Sequence, residues 1–192
     1  LERFISEETA RGKRAVLIAE SGRMPSTGLA GASLTLIGVA ILSDRVRREA
    51  KNAVKSLRGA GIHVVMVTGD NIETARHIAE ECGIIGGEVD LCITASELAR
   101  LGDMRLRELL PRIGVIARAL PSDKSRLVRV SQEAELVVGM TGDGINDAPA
   151  LRRADIGFAM GGGTQVAKEA GDIIILDGNL ASIARAVLYG RN

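Results

Sequence analysis

Tryptophan is absent from the 192 residues, Tyr189 is the one tyrosine, and Phe4 and Phe158 are the two phenylalanines. That scarcity argues against a nucleic-acid platform of stacked aromatic rings. It argues equally against a sandwich core built on aromatics. Cysteine is nearly as rare: Cys82 and Cys92 are ten positions apart, with no Cys-x-x-Cys spacing. A disulfide framework or a zinc site is therefore not expected. His63 and His77 have no second histidine at a metal-ligand spacing and read as surface residues. Charge of one sign is also lacking. Twenty-five basic side chains balance 24 acidic ones, for a net charge of +1. A large nucleic-acid footprint is not expected of such a balance, and 46% hydrophobic content excludes a disordered chain.

Long hydrophobic runs are missing too. Residues 24–43 carry no charge, but they include Pro25, Gly28, Gly31 and Gly38, and their dense apolar part is only 34–42. A spanning helix needs about 20 predominantly apolar residues, so the stretch reads as a loop running into a strand. The length fits one domain, or one domain and a fragment of a second. The chain begins at Leu1 with no signal-peptide pattern, and the expectation is a piece excised from a longer protein.

What is present is Val, Ile, Leu and Ala, the palette of a parallel sheet buried under helices. Short aliphatic runs lie at 34–42, 62–67, 113–117, 136–140, 155–160 and 172–176, each of a length and composition expected of a buried strand. Helical patterns lie between them. Residues 45–58 put Val46, Ala50, Ala53, Val54 and Leu57 on one face. Asn71 can cap a helix running to about Cys82, with Gly83 at its end. Ser122, after Pro121, opens a helix through about Glu133, and Pro149 fits the first turn of a helix near 148–154. The alternation predicts an α/β fold with a Rossmann-like parallel sheet flanked by helices. Residues 1–33 differ: a helix end at 3–12, one strand at 14–20, then a Gly/Ser/Pro-rich connector at 21–33.

Ligands of open α/β sheets bind at the carboxyl ends of the strands. One such end carries Thr141-Gly142-Asp143-Gly144-Ile145-Asn146-Asp147-Ala148-Pro149. Two carboxylates four apart, with glycines that let the backbone approach a ligand, point to a hard cation such as Mg²⁺. A plain Asp/Gly turn does not call for so many special residues in one run. A second end carries Thr68-Gly69-Asp70-Asn71, a hydroxyl and an amide ahead of a helix N-terminus, which suits a phosphate. Lys124 lies in the first turn of its helix, where a cation opposes the helix dipole. Phosphoryl oxygens need such a charge. A hydroxyl, a lysine and a carboxylate pair make a phosphoryl-transfer site that lacks a nucleophile.

TGDGINDAPAL at 141–151 closely resembles the hinge motif of P-type cation-transporting ATPases, within the haloacid dehalogenase superfamily. VVMVTGDNIETARHIAEECGI at 64–84, VIARALPSDKSRLV at 115–128 and ADIGFAMGGGTQVAKEAGDIIILDGN at 154–179 resemble blocks of the same phosphorylation domain, in the same order. The closing AVLYGRN resembles the segment leading to the next transmembrane helix. The resemblance implies a phosphorylation domain at 34–192, and at 1–33 the end of a nucleotide-binding domain. It implies that Asp143 ligates Mg²⁺, that Asp147 supports the site paired to Lys124, and that Lys124 neutralises the phosphoryl group. Thr68 and Asn146 would bond phosphate oxygens, Gly69 would give a backbone contact, and Asp70 and Arg118 would lie near the nucleotide, ATP. The family's nucleophile is an Asp in a DKTGT motif, which does not occur here. Asp44 matches the family's DPPR segment instead, with Arg45 and Val46 in place of the prolines.

The insertion at 84–114 and the strings IARALPSDK and VAKEAGDIIILDGN look most like calcium-transporting members. The implied parent is an integral membrane enzyme that couples ATP hydrolysis, through an aspartyl-phosphate, to Ca²⁺ transport. This chain would lie on the cytoplasmic side, with the actuator, nucleotide-binding and transmembrane parts elsewhere in the same protein. It would be catalytically incomplete by itself and would have no nucleic-acid partner. The alternatives are a pump of another cation, a soluble Mg²⁺-dependent phosphatase of the same superfamily, or a non-catalytic nucleotide-binding or receiver-like module. The phosphatase would need its own DxDxT, and the module a GxGxxG after its first strand; neither occurs.

Overall fold

The computed structural model describes residues 1–10, 13–21, 34–42 and 46–190. The chain divides into two compact units, residues 1–45 and 46–192. The first holds α1 (Glu2–Ala10), β1 (Arg14–Glu20) and β2 (Thr35–Leu42). β1 and β2 form an antiparallel ribbon with a bulge between Ile18 and Ala19. Most of the 21–33 connector, and Asp44, lie outside the described residues.

This ribbon corrects one expectation. Residues 34–42 do form a strand, but it pairs antiparallel with β1 rather than opening the parallel sheet. Leu36 and Ile37 are exposed. An uncharged aliphatic run signals a strand, but it carries no information about which partner completes the ladder.

The second unit is a parallel α/β fold, as the alternation of runs and amphipathic stretches predicts. Its elements in order are α2 (Arg48–Gly59), β3 (Met66–Val67), α3 (Ile72–Cys82), β4 (Leu91–Thr94), α4 (Ala95–Arg100), α5 (Asp103–Leu109), β5 (Ile113–Ala117) and α6 (Pro121–Glu133). β6 (Gly139–Gly142), α7 (Ala148–Arg153), β7 (Ile156–Met160), α8 (Gln165–Ala170), β8 (Ile173–Ile175) and α9 (Leu180–Gly190) complete it. The strands form two three-stranded sheets, ordered β3-β5-β4 and β6-β7-β8, with every pair parallel. β3 and β6 each have one free edge among the described residues.

Local chemistry explains the boundaries. Asn71 caps α3, its side chain accepting the Thr74 N–H at 2.8 Å, and Gly83 ends the helix at φ 75°. That left-handed conformation costs glycine nothing. Thr94 and Glu97 form a reciprocal box at the start of α4. α6 begins at Pro121 with Leu120 as its cap, one residue ahead of the expected Ser122. The Leu120 N–H donates to Asp123 Oδ2 at 2.8 Å.

β5 is the central strand of its sheet, and all five of its residues are buried. Ile113 and Ile116 pack with Leu98, Leu106, Leu110 and Val130. On the opposite face Val115 and Ala117 join Val54, Ala75, Ala79 and Cys82. Burial holds the thiol of Cys82 above its ordinary range. The 84–114 segment contributes β4, α4 and α5, which the sequence pattern does not announce.

Ile116 is fully buried, so Ile116→Ala is expected to cost about 2–5 kcal/mol by urea denaturation. Val137 is 84% exposed, and Val137→Ala should stay within about 0.5 kcal/mol. Equal losses at the two positions would contradict the assignment of β5 as the core strand. The Thr74 hydroxyl is buried without a hydrogen-bond partner. Thr74→Val keeps the shape and removes that group, so the melting midpoint should rise or hold. A clear fall would show that the hydroxyl has a partner.

Candidate active site

The exits of β3 and β5 are stitched together. The Thr68 N–H donates to Ile116 O at 3.0 Å, and the Ala119 and Arg118 N–H groups donate to Thr68 O and Asp70 O, each at 2.9 Å. The Thr68 hydroxyl donates to Asp70 Oδ2 and accepts the Asp70 N–H, both at 3.1 Å. Arg118 sits at φ 53°, a left-handed conformation that costs a side-chain-bearing residue about 1–2 kcal/mol. The bond from its own amide to Asp70 helps hold it there. Gly69 and Arg118 are exposed beside these loops.

The exit of β6 carries the acidic pair. After Gly142 the chain passes Asp143 and Gly144, makes a 3-10 turn over Ile145–Asp147, and enters α7 with Pro149 in its first turn. Asp147 is 7% exposed, one of two buried polar residues among those described. Its carboxylate accepts three donors: Lys124 Nζ on Oδ1 at 2.5 Å, and the N–H groups of Asp143 and Gly144 on Oδ2 at 3.1 and 3.0 Å. Burial alone would push this carboxyl up. The hydrogen bond and charge of Lys124, with the two backbone amides, outweigh burial and hold it below the ordinary carboxylate range. Gly142 is required at its position: a Cβ there would lie 2.7 Å from the carboxyl carbon of Asp147.

Asp143 is held by its backbone rather than its side chain. Its carbonyl accepts the Thr164 N–H at 2.8 Å. A Cβ on Gly163 would come within 2.7 Å of that oxygen, so the Gly161-Gly162-Gly163 run lets the β7–α8 loop lie against it. The Asp143 side chain is exposed and makes no hydrogen bond or ion pair among the described residues. The two acids therefore differ in role. Asp147 is spent on fixing Lys124, and Asp143 is left available.

Thr68, Gly69, Lys124, Asp143 and Asp147 line one open cleft of about 340 Å³, together with Val67, Thr141, Gly142 and Met160. The site residues expected from three separate strand ends thus meet. Asn146, exposed in the 3-10 turn, and Asp70 and Arg118, tied to the Thr68 loop, are not among its lining residues. Sequence reasoning missed Thr141 and Met160, and also the Thr164 amide behind Asp143. The triple glycine is the available signal for the last. No group of three or more His, Cys, Asp or Glu that could hold a metal occurs among the described residues. One free carboxylate on an open cleft still fits Mg²⁺, which keeps several waters and shares phosphate oxygens.

Two matches to the haloacid dehalogenase-like hydrolase family cover residues 4–155 and 134–187. Human plasma membrane calcium-transporting ATPase 3 is 48% identical over 174 residues, spanning 83% of this chain and 14% of that protein. The putative plasma membrane-type calcium-transporting ATPase 11 of Arabidopsis thaliana is 44% identical over 194 residues, covering all of this chain and 18% of its own length. Arabidopsis calcium-transporting ATPase 4, plasma membrane-type, is 47% identical over 174 residues, spanning 90% of this chain and 16% of that protein. The chain therefore spans less than a fifth of these relatives.

Because the pKa of Asp147 is lower in the folded chain than in the unfolded one, its contribution to stability is full above the unfolded value, about 3.9. It is lost as pH falls from there through the folded value. Urea midpoints should therefore fall more steeply below about pH 4 in the wild type than in Asp147→Asn. Parallel curves would refute the assignment. Lys124→Met leaves the carboxylate without its ammonium and should cost about 3 kcal/mol at pH 7 in the same assay.

Proposed function

From the premise that the chain belongs to the haloacid dehalogenase-like hydrolase family, we propose that it is part of the phosphorylation domain of a calcium-transporting P-type ATPase. The observation that carries this reading is the meeting of Thr68, Lys124, Asp143 and Asp147 on one cleft at the strand ends. The high identity to calcium-transporting ATPases supports the choice of ion.

In this reading the intact enzyme transfers the terminal phosphoryl group of ATP to an aspartate and then hydrolyses the acyl phosphate. Ion movement is coupled to the accompanying domain motion. The sequence contains no Asp-Lys-Thr-Gly-Thr, so the nucleophile would come from another part of the parent. Among the described residues β3 and β6 each have one unpaired edge, and the ends of both line the cleft; one more parallel strand on such an edge would deliver it. Lys124 puts a fixed positive charge on the phosphoryl oxygens, and Asp147 keeps that ammonium oriented. The Gly69 amide would bond the same oxygens, as would Asn146, and the Thr68 hydroxyl would join them by turning its one proton from Asp70 Oδ2 to the phosphate. Asp143 would hold Mg²⁺, which supplies further neutralisation when bound. Asp70 and Arg118 would lie on the nucleotide side. Residues 1–33 would be the end of the nucleotide-binding domain and 34–192 the phosphorylation domain, its parallel sheets lying in the 46–192 unit while β2 pairs back onto β1, on the cytoplasmic side of the membrane that holds the parent.

Incubated with Mg²⁺ and ATP or an aryl phosphate, the purified chain should show no sustained turnover. Inorganic phosphate should still bind, read by ³¹P line broadening, and Lys124→Met should weaken that binding about tenfold. Steady hydrolysis abolished by Asp143→Asn would overturn the pump reading in favour of a free-standing phosphatase.

A further inference from the structure

Arg126 lies two positions after Lys124 on α6, so the two side chains leave the helix about 200° apart. Lys124 lines the cleft, and Arg126 therefore points away from it. Its guanidinium donates to Asp103 Oδ1 through Nε at 3.0 Å and Nη2 at 2.8 Å, to Leu98 O at 2.8 Å and to Leu101 O at 2.5 Å. Leu98 lies in the last turn of α4 and Leu101 is its cap; the Leu98 carbonyl also accepts the Leu101 N–H at 3.1 Å, and Arg126 adds a donor at this helix end. Arg129, one turn on, donates to Asp103 Oδ2 at 2.6 Å and to Glu133 at 2.7 Å. Both oxygens of Asp103 are thus taken by α6. Beside this lattice Val130 and Leu127 pack on Leu98 and Leu106.

A surface ion pair does not usually take this form. A single Arg–Asp contact in water stabilises little and needs no particular geometry. Here one planar guanidinium joins a carboxylate and two helix-end carbonyls at once, a geometry that lysine could not reproduce. The lattice fixes the position and roll of α6 from behind. The Lys124–Asp147 bond, on the opposite face, depends on that roll.

We propose that Asp103 and Arg126 are positioning residues. In this account the α4–α5 corner is a brace that sets the reach of Lys124 into the cleft. The proposal rests on the reading of Lys124 as the cation that faces a phosphoryl group. The brace itself is a claim about geometry and can fail separately.

The test is the rate of Lys124 acetylation by an N-hydroxysuccinimide ester on the folded full chain, read by mass spectrometry relative to Lys55. An ammonium held by Asp147 is protected, and a loosened one is not. Asp103→Asn should raise the Lys124 ratio about threefold or more. Arg129→Gln, which leaves the Arg126 fork in place, should raise it less. Glu108→Gln, which breaks the exposed Arg105 pair on the outer face of α5, should leave it unchanged. A merely structural role would lower the melting midpoint of Asp103→Asn without altering the ratio below it, and that result overturns the brace. If Asp103→Asn does not fold, an unchanged ratio in Arg129→Gln overturns it instead. Phosphate binding to the wild type is read separately, and its absence would remove the phosphoryl-site reading while leaving the brace to stand or fall on the acetylation ratio.

Discussion

The site depends on one buried carboxylate and the three donors that surround it. Asp147 is nearly inaccessible, and an ionised group at that depth is tolerated only when its lone pairs are filled. Lys124 fills one oxygen, and the amides of Asp143 and Gly144 fill the other. The same contacts bend the chain after β6 so that the side chain of Asp143 stays exposed at the cleft. They also draw the first turn of α6 toward the end of β6. Two strand ends far apart in sequence are joined through one side chain.

Glycine makes that arrangement possible at two points. Gly142 lets the backbone lie against Asp147, and Gly163 lets the β7–α8 loop lie against Asp143. A Cβ would have to displace the Asp147 side chain at the first and backbone atoms of Asp143 and Met160 at the second. On the far side of α6, Asp103 and Arg126 hold the helix against α4 and α5. Lys124 is thereby gripped from both sides, by Asp147 in front and by the helix packing behind.

Much of this is legible in the residues themselves. The aliphatic runs with few aromatics predict a parallel sheet, and β5, β7 and β8 fall where the runs do. α3 follows from Asn71 and Gly83, because caps act within a few residues. Strand lengths are less legible. β3 is only Met66–Val67, although the aliphatic run begins at 62, because β5 is its one partner among the described residues and the ladder stops where that pairing stops. β6 begins at Gly139, beyond the start of its run at 136, and Leu136 and Val137 remain exposed. The insertion hides β4 because Leu91–Thr94 is four residues with little periodicity.

By itself the sequence determined the elements outside the 84–114 insertion, their order, and the residue types able to handle a phosphoryl group, since propensity, capping and glycine freedom are local properties. Only the tertiary structure decided which partner β2 takes, how deeply each of the two acids is buried, and which side of α6 faces the cleft. Those outcomes depend on burial and on donors supplied from distant parts of the chain. Asp143 and Asp147 are the same residue type four positions apart. One is exposed and the other surrounded because Lys124, 23 residues before Asp147, folds back onto only one of them.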